Sequence, residues 1–157
     1  MSDARQTGRR SVRSVVGMFT ISPIDARTAD RLRATASVVR SADESPGYPC
    51  RQCLRDADVG DELVLVSYDP FEGFGEHSPY RSASPIFLHR HDCSGRLDAA
   101  RLPDQLTRRR LSLRAFDTEA MMLDGRVVDG SDLAAALDEL LRVDGVDRVH
   151  VHNAGPG

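Results

Sequence analysis

The chain has 157 residues, a formal net charge of −3, 40% hydrophobic residues and only arginine among its 21 basic residues. This length suits one domain of ordinary size, and the hydrophobic content excludes a fully disordered chain. The sequence lacks the surplus of positive charge on which non-specific nucleic-acid binding depends. Three cysteines are too few for a secreted disulfide framework, and no apolar run reaches the roughly 20 residues of a membrane helix. We therefore expect a cytoplasmic protein without a nucleic-acid or membrane partner.

The first half of the chain predicts a strand, a helix and a hairpin that follow an unstructured start. Residues 1–17 are rich in Ser and Arg and lack periodicity. We therefore expect a disordered extension there and a single globular domain over 18–157, with Met18 as a candidate first residue. The predicted elements are a strand over 19–24, a helix over 26–38 capped by Asp25, a loop over 41–49, and a hairpin with arms over 50–54 and 62–68.

The second half of the chain predicts several strands and one clear amphipathic helix, which Ser131 or Asp129 can cap. The predicted elements are a long loop over 69–80, a strand over 84–91, a polar connection with a short helical turn over 96–106, a strand over 111–117, a hairpin over 121–130 that turns at Asp124-Gly125, a helix over 131–143 and a strand over 146–152. Strands outnumber helices and are joined through hairpins. The pattern predicts an α+β fold in which a mostly antiparallel sheet, built from hairpins, packs against two helices.

Several short motifs follow one another in a characteristic order. They are GYPCR (47–51), SPYR followed by SPIF (78–81 and 84–87), LSLRAFD (111–117) and HVHNA (150–154). In this order the chain resembles, over about residues 18–154, the bacterial family catalogued as domain of unknown function 1203. The resemblance implies a fold and no assigned activity. Family members vary at the position of Cys53 and continue beyond the HNA motif, so the resemblance implies either that this chain is truncated or that a C-terminal closing strand is absent.

Cysteines and histidines form the first constellation that could carry chemistry. The candidate metal ligands are Cys50 and Cys53 in a C-x2-C pair and His89, His91 and Cys93 in an H-x-H-x-C run, with a second H-x-H at His150 and His152. The three thiols and one imidazole could form a Cys3His zinc site. Structural zinc usually takes its C-x2-C pair from a tight turn, whereas residues 50–54 are predicted as a strand. The alternative is that Cys53 packs in the core, His89 and His91 lie exposed at a strand end, and His150 faces solvent.

A cysteine–histidine pair is a second, catalytic hypothesis. Arg51 lies next to Cys50, and a neighbouring cation lowers the pKa of a thiol. His152 could then act as a base and Asn153 could orient it, as in Cys-His-Asn enzymes. The alternative is that Cys50 is a small buried apolar residue, while His152 and Asn153 satisfy backbone groups in a turn.

An arginine-lined anion pocket is the leading hypothesis from the sequence, because its residues lie within the ordered motifs. Its candidate ligand-binding residues are Tyr48, Arg51, Tyr80, Arg81 and Arg114, with His152 beside them. Arginine suits bidentate binding of carboxylate or phosphate, so the expected partner is a small anionic molecule. The alternative is structural, with Arg51 and Arg114 paired to Asp117, Asp56 or loop carbonyls. No cofactor other than zinc is expected, and the residues specify neither a reaction nor an oligomeric state.

A protein-interaction surface is the third class of function. The long loop over 69–80 carries Phe71 and Phe74, which we expect to be exposed and able to dock a partner. Charge is also unevenly distributed along the chain, with a net charge of +5 over residues 1–40 and −8 over residues 41–157. The arginines at the motif positions therefore stand out against an acidic body.

Overall fold

The computed structural model describes residues 14–16, for which only the backbone is considered, together with residues 19–98 and 100–155. The strands in chain order are β1 (Ser14–Val16), β2 (Phe19–Ile21), β3 (Val38–Ser41), β4 (Glu62–Tyr68), β5 (Ser84–His89), β6 (Arg110–Phe116), β7 (Met122–Asp129) and β8 (Arg148–Asn153). The α-helices are α1 (Ala26–Ala34), α2 (Asp104–Thr107) and α3 (Leu133–Leu141), and single 3-10 turns span Ser94–Arg96 and Gly130–Asp132.

The predicted α+β fold is confirmed, with strands that pair in an antiparallel manner. Where one sheet was expected, the described residues form two three-stranded sheets, in the orders β3-β4-β5 and β7-β6-β8, and a short β1–β2 ribbon. The predicted extension over 1–17 lies outside the described residues, apart from the backbone of β1. Among the described residues, no helix combines the length and apolar character that crossing a membrane requires.

The first sheet is covered by α1, which begins where the sequence predicts. The carboxylate of Asp25 accepts a hydrogen bond from the backbone N–H of Thr28 at 2.9 Å, as an N-cap should. The predicted end at residue 38 is wrong, because the helix ends at Ala34 and the next residues form β3. Val38 and Val39 are β-branched, which favours an extended backbone, and β4 offers that segment a partner strand.

Residues 50–54 form a tight turn, so the predicted first arm of the hairpin is wrong. Cys50 makes one isolated parallel bridge with Phe87 of β5, and residues 51–53 turn back at once. Leu54 closes the turn with a φ of 54°, and its N–H donates to the carbonyl of Cys50 at 3.1 Å. The segment therefore presents its thiols from a turn, as a metal-binding C-x2-C pair requires.

The second sheet contains a second correction. Residues 122–129 form one continuous strand, β7, so the predicted turn at Asp124-Gly125 is wrong. The chain turns earlier, at Ala120 with a φ of 62°, and the carboxylate of Asp117 accepts backbone hydrogen bonds from Glu119 and Met121. The chain therefore reverses at this Asx-type turn and not at the Asp124-Gly125 pair, which lies within β7.

The two faces of the second sheet differ. The helix α3 covers the inner face, whereas polar side chains lie on the outer face. Its leucines pack on the inner face of β6, forming a core of Leu106, Leu111, Leu113, Ala115, Leu133, Ala136, Leu137 and Leu140. Ser112 and Arg114 lie on the outer face, where their partners on β8 are His152 and His150. The outer face is therefore the polar side of this sheet.

Candidate metal centre

Four of the predicted metal ligands converge at one end of the first sheet. Cys50 and Cys53 come from the turn, His89 is the last residue of β5, and Cys93 follows four residues later. The turn is held beside β5 because the N–H of Arg51 donates to the carbonyl of Phe87 at 3.0 Å. A backbone ladder therefore brings together residues that lie about 40 positions apart in sequence.

The distances within this cluster suit a single tetrahedral ion. The sulfurs of Cys50 and Cys93 are 3.6 Å apart, as are the sulfur of Cys53 and the Nδ1 atom of His89. All four donor atoms lie within 4.8 Å of one another. A zinc ion with its usual bonds to sulfur and nitrogen places neighbouring donors about 3.5 to 3.8 Å apart in a tetrahedron. Two of the edges already have this length.

All four side chains of the cluster are buried. The three cysteines are between 0% and 4% exposed and His89 is 6% exposed. The three cysteines belong to the core formed by α1 and the first sheet. A site in which protein donors fill all four positions and exclude solvent has the character of a structural centre.

A carboxylate supports the imidazole of His89 from behind. The Nε2 atom of His89 lies 3.2 Å from a carboxylate oxygen of Asp61, and the same oxygen lies 3.9 Å from the guanidinium of Arg96. In the neutral imidazole, donation of the Nε2–H to Asp61 leaves the lone pair of Nδ1 directed towards the sulfur of Cys53, where a metal ion could accept it. Metal-binding histidines commonly have this carboxylate partner, which fixes the tautomer and the ring orientation.

Electrostatics within the metal-free cluster favour one anionic sulfur. Hydrogen bonds from Cys53 and Cys93, and to a smaller degree from His89, hold the pKa of Cys50 well below its usual range. Hydrogen bonds to Cys50 and Cys53 raise the pKa of His89 to about 10. The pKa of Cys93 is raised because its neighbour Cys50 takes the negative charge. The thiolate is the form of cysteine that binds metal ions.

Sequence reasoning missed the residues that brace this cluster. Asp61 holds His89, and the buried Gln52 donates to Asp92 at 2.8 Å while accepting a hydrogen bond from Arg33. The buried Gln105 of α2 donates to the carbonyl of Cys50 at 3.1 Å. Gln52 lies within the C-x2-C pair, and this position was the one feature of the sequence that could have indicated its role. The roles of the others depend on long-range contacts that no local pattern shows.

The remaining predicted cysteine and histidine residues lie apart from the cluster. His91 is exposed and is not one of the four converging residues. Within the described residues, the sulfur of Cys50 contacts members of the cluster and makes no contact with His152. Asn153 keeps a buried Oδ1 atom without a hydrogen-bond partner in the described structure. The catalytic set of Cys50, His152 and Asn153 therefore stays a prediction.

The predicted anion-binding residues divide into two groups. Tyr48 donates its hydroxyl to Asp43 at 2.6 Å, and Arg81 forms an ion pair with Asp69. Tyr80 is 39% exposed, and its ring centroid lies 6.1 Å from that of Phe116. Arg51 and Arg114, in contrast, are both close enough to His152 to act on its charge. Burial and these cations, Arg114 foremost, lower the pKa of His152 to about 4.

The predicted exposure of the aromatic loop is wrong for Phe71. This ring is 3% exposed and packs edge-on against Phe116, with 5.2 Å between centroids. Phe74 is half-buried and is covered by the guanidinium of Arg148, 3.6 Å from the ring centre. The loop packs these rings against the sheet because the burial of apolar surface lowers the free energy relative to its exposure to water. The geometry therefore gives the interaction hypothesis no exposed pair of rings.

Comparison with known proteins gives a family and no characterised relative. No match was found among curated proteins or among solved structures. The profile of the family described as "Protein of unknown function (DUF1203)" matches residues 47–157, a span that includes all four clustered ligands. Because this match covers well over half of the chain, the protein belongs to the DUF1203 family.

Proposed function

We propose that this protein binds one zinc ion through Cys50, Cys53, His89 and Cys93, and that the ion stabilises the fold. The single observation that carries the proposal is the convergence of four buried donor atoms within 4.8 Å of one another. A second feature supports the proposal. The carboxylate of Asp61 lies 3.2 Å from the Nε2 atom of His89, and metal-binding histidines commonly have such a carboxylate partner.

The donor set favours zinc over other metals. Thiolate and imidazole ligands in tetrahedral geometry suit zinc, whereas calcium, magnesium and manganese require oxygen donors. The close spacing of the donors surrounds one ion and leaves no room for a cluster of several iron and sulfide atoms. Because protein atoms fill every position, we assign the ion a structural role without a bound, reactive water.

Elemental analysis of the purified chain tests this proposal. We expect about one zinc per chain, and we expect Cys53→Ser and His89→Ala to lose most of it. His91→Ala is the matched control, because His91 is a nearby exposed imidazole outside the cluster and should leave the zinc content unchanged. A folded wild-type protein that contains no zinc, and whose melting temperature added zinc does not raise, overturns the proposal.

Cobalt substitution supplies a second readout that does not depend on stability. Co²⁺ bound by thiolates in a tetrahedral site gives intense visible and near-ultraviolet absorption, which we expect for wild type and for His91→Ala. Cys93→Ser should weaken the charge-transfer band, because one sulfur donor is removed. A spectrum typical of octahedral oxygen coordination contradicts the Cys3His assignment.

We also propose a second function, binding of a small anion on the outer face of the second sheet. The specific observation is Arg114, a half-buried cation that forms no hydrogen bond or ion pair with any residue in the described part of the chain. Removing a cation from water without a partner is costly, and a bound anion would offset that cost. Phosphate should raise the melting temperature above that in chloride at equal ionic strength. Equal melting temperatures in the two salts contradict this function.

A further inference from the structure

Positive charge and imidazoles share the outer face of the second sheet. Arg114 on β6 lies directly opposite His150 on β8, and Ser112 lies opposite His152. Opposite residues of an antiparallel pair project on the same side, so these four side chains face the same way. The ring centroids of the two histidines are 6.1 Å apart. The strand register therefore places one guanidinium group, one hydroxyl and two imidazoles side by side on this face.

Neighbouring arginines show how this face differs from the rest of the molecule. Arg148 is neutralised by Asp147 at 2.7 Å, and Arg109 forms a two-pronged ion pair with Asp56. Arg114 has no such carboxylate within the described residues. Its strand partner on the other side is Gly125, which has no side chain to cover the guanidinium. The face thus keeps an accessible cation in a chain whose overall charge is negative.

The C-x2-C turn carries a second cation, Arg51, that is close enough to His152 to lower its pKa. Arg51 lies between the two cysteines of the C-x2-C pair and donates to Gln105 at 3.2 Å. Its charge, like that of Arg114, lowers the pKa of His152. The imidazoles are neutral at pH 7, so each carries one N–H that can donate a hydrogen bond.

We propose that Arg51, Arg114, His150 and His152 form a binding site for a small doubly charged oxyanion, such as a phosphate monoester or a dicarboxylate. This inference rests on the anion-binding function proposed above and adds the charge of the ligand and the participation of the histidines. Two guanidinium groups match two negative charges, and the planar fork of Arg114 binds two oxygens at once. The neutral imidazoles donate to the remaining oxygens without adding charge.

The aromatic side chains beside the site suit an organic ligand. The ring of His150 packs against Phe116 at 4.9 Å and against Phe74 at 5.8 Å between centroids. The ring of Tyr80, which is 39% exposed, lies 6.1 Å from that of Phe116 between centroids. An apolar wall next to a cationic end is the usual composition of a small-molecule site. The carbon portion of the ligand would lie along this wall.

Titration calorimetry on the zinc-loaded, full-length protein tests the site, with inorganic phosphate and malonate as dianions and acetate as the monoanion. We expect both dianions to bind and acetate to bind at least tenfold more weakly. Arg114→Gln and His152→Asn should each weaken phosphate binding about tenfold or more, the effect of one charge-assisted hydrogen bond. Arg110→Gln, which removes an exposed charge from the same strand, should change the affinity less than twofold.

The outcomes separate the inference from the function on which it rests. Absence of binding by all three anions overturns both. Acetate binding as tightly as phosphate leaves anion binding standing and overturns the dianion assignment. Normal affinity in His152→Asn with lost affinity in Arg114→Gln removes the histidines from the site. Zinc content and melting temperature are measured for every variant, and Arg114→Lys, which retains the charge, replaces Arg114→Gln if that variant does not fold.

Discussion

Side chains next to the cluster of Cys50, Cys53, His89 and Cys93 show how much the geometry of the four proposed ligands depends on groups around them. Asp61 lies on the solvent side of His89 and fixes which imidazole nitrogen carries the proton. The other nitrogen is thereby free to bind a metal, and its basicity is raised by the carboxylate. The same carboxylate lies 3.9 Å from the guanidinium of Arg96.

The Asp61→Asn substitution tests this supporting role. An amide can still contact the imidazole but carries no charge, so we expect zinc affinity to fall about 10- to 100-fold with the fold retained. Competition with a chromophoric chelator measures the change. Glu62→Gln is the control, because its carboxylate binds the exposed Arg90 and not the cluster. Equal zinc affinity in the wild type and Asp61→Asn would show that Asp61 does not support the ligand.

His150 and His152 should make stability depend on pH in a defined window. Burial, together with Arg148 and Arg114 for the first and Arg114 for the second, lowers each pKa from 6.5 to about 4. Between pH 6.5 and pH 4, these two imidazoles are therefore protonated in the unfolded chain and neutral in the folded chain. Stability is fully present above pH 6.5 and declines as the pH falls towards 4, by at most about 3 kcal/mol per ring.

The His150→Phe variant isolates this contribution from metal loss, which also increases at low pH. Phenylalanine suits the aromatic surroundings and removes the titrating group. The free energy of unfolding, measured in urea between pH 7 and pH 5, should fall less steeply in the variant than in the wild type. His77→Asn removes an exposed imidazole and should leave the slope unchanged. Identical slopes in wild type and His150→Phe would refute the assignment.

The contact between α2 and the 3-10 turn that precedes α3 depends on Gly130. A Cβ atom added at Gly130 would lie 2.2 Å from the carbonyl oxygen of Leu106 and 2.6 Å from the carbonyl carbon of Thr107. Both atoms belong to the backbone, so they cannot move aside as a flexible side chain would. The glycine allows the chain to approach α2 closely and directs α3 onto the second sheet.

Gly130→Ala should therefore destabilise the protein by about 1 to 3 kcal/mol, the usual cost of forcing extra volume into a packed site. Urea denaturation followed by circular dichroism measures the loss. Gly95→Ala is the control, because a Cβ at Gly95 meets no atom within 4 Å. A change of less than 0.5 kcal/mol in Gly130→Ala, about the size of an ordinary surface substitution, would contradict the close approach.

The elements also show where sequence reasoning succeeds and where it fails. The continuous apolar run of β4 and the helical spacing of apolar residues in α3 both indicate burial, and both elements lie where the sequence predicts them. The turn at 50–54 was misread as a strand because its course depends on a bridge to Phe87, which is distant in sequence. Gly125 was misread as a turn because β6 and the turn at Asp117 override its local preference.

The candidate site was predictable in composition but not in geometry. The types and spacing of Cys50, Cys53 and Cys93 suggested a metal, and the structure brings their sulfurs together. Spacing alone could not choose His89 over His91, because the choice depends on which residue faces the core at the end of β5. A two-residue step along a strand normally keeps the same face, but β5 ends at His89 and the chain changes direction there.

The whole molecule contains separate cores that should respond differently to loss of the metal. The cysteines belong to the core under α1 and the first sheet, whereas α3 and the second sheet enclose another core. Removal of the proposed ion would leave buried thiols and an imidazole without a shared ligand, so we expect the first core to lose stability. The second core keeps all its apolar contacts.

Hydrogen exchange after zinc chelation tests this difference. We expect amide protection to fall most in residues 49–54 and in β4 and β5, with a smaller change in β6 and α3. Mass spectrometry of the zinc-loaded and chelated protein maps the change along the chain. An equal loss of protection in both sheets would show that the two cores unfold as one cooperative unit and would contradict the expectation.

The spacing of the ligands has a consequence for how the chain reaches its folded state. Cys53 and His89 are 36 residues apart, and β4 and β5 lie within or at the end of that interval. An ion held by both residues acts as a reversible cross-link across this loop. By the chain-entropy estimate used for disulfides, such a link favours the folded state by about 4 kcal/mol. Unlike a disulfide, such a link needs no oxidising compartment.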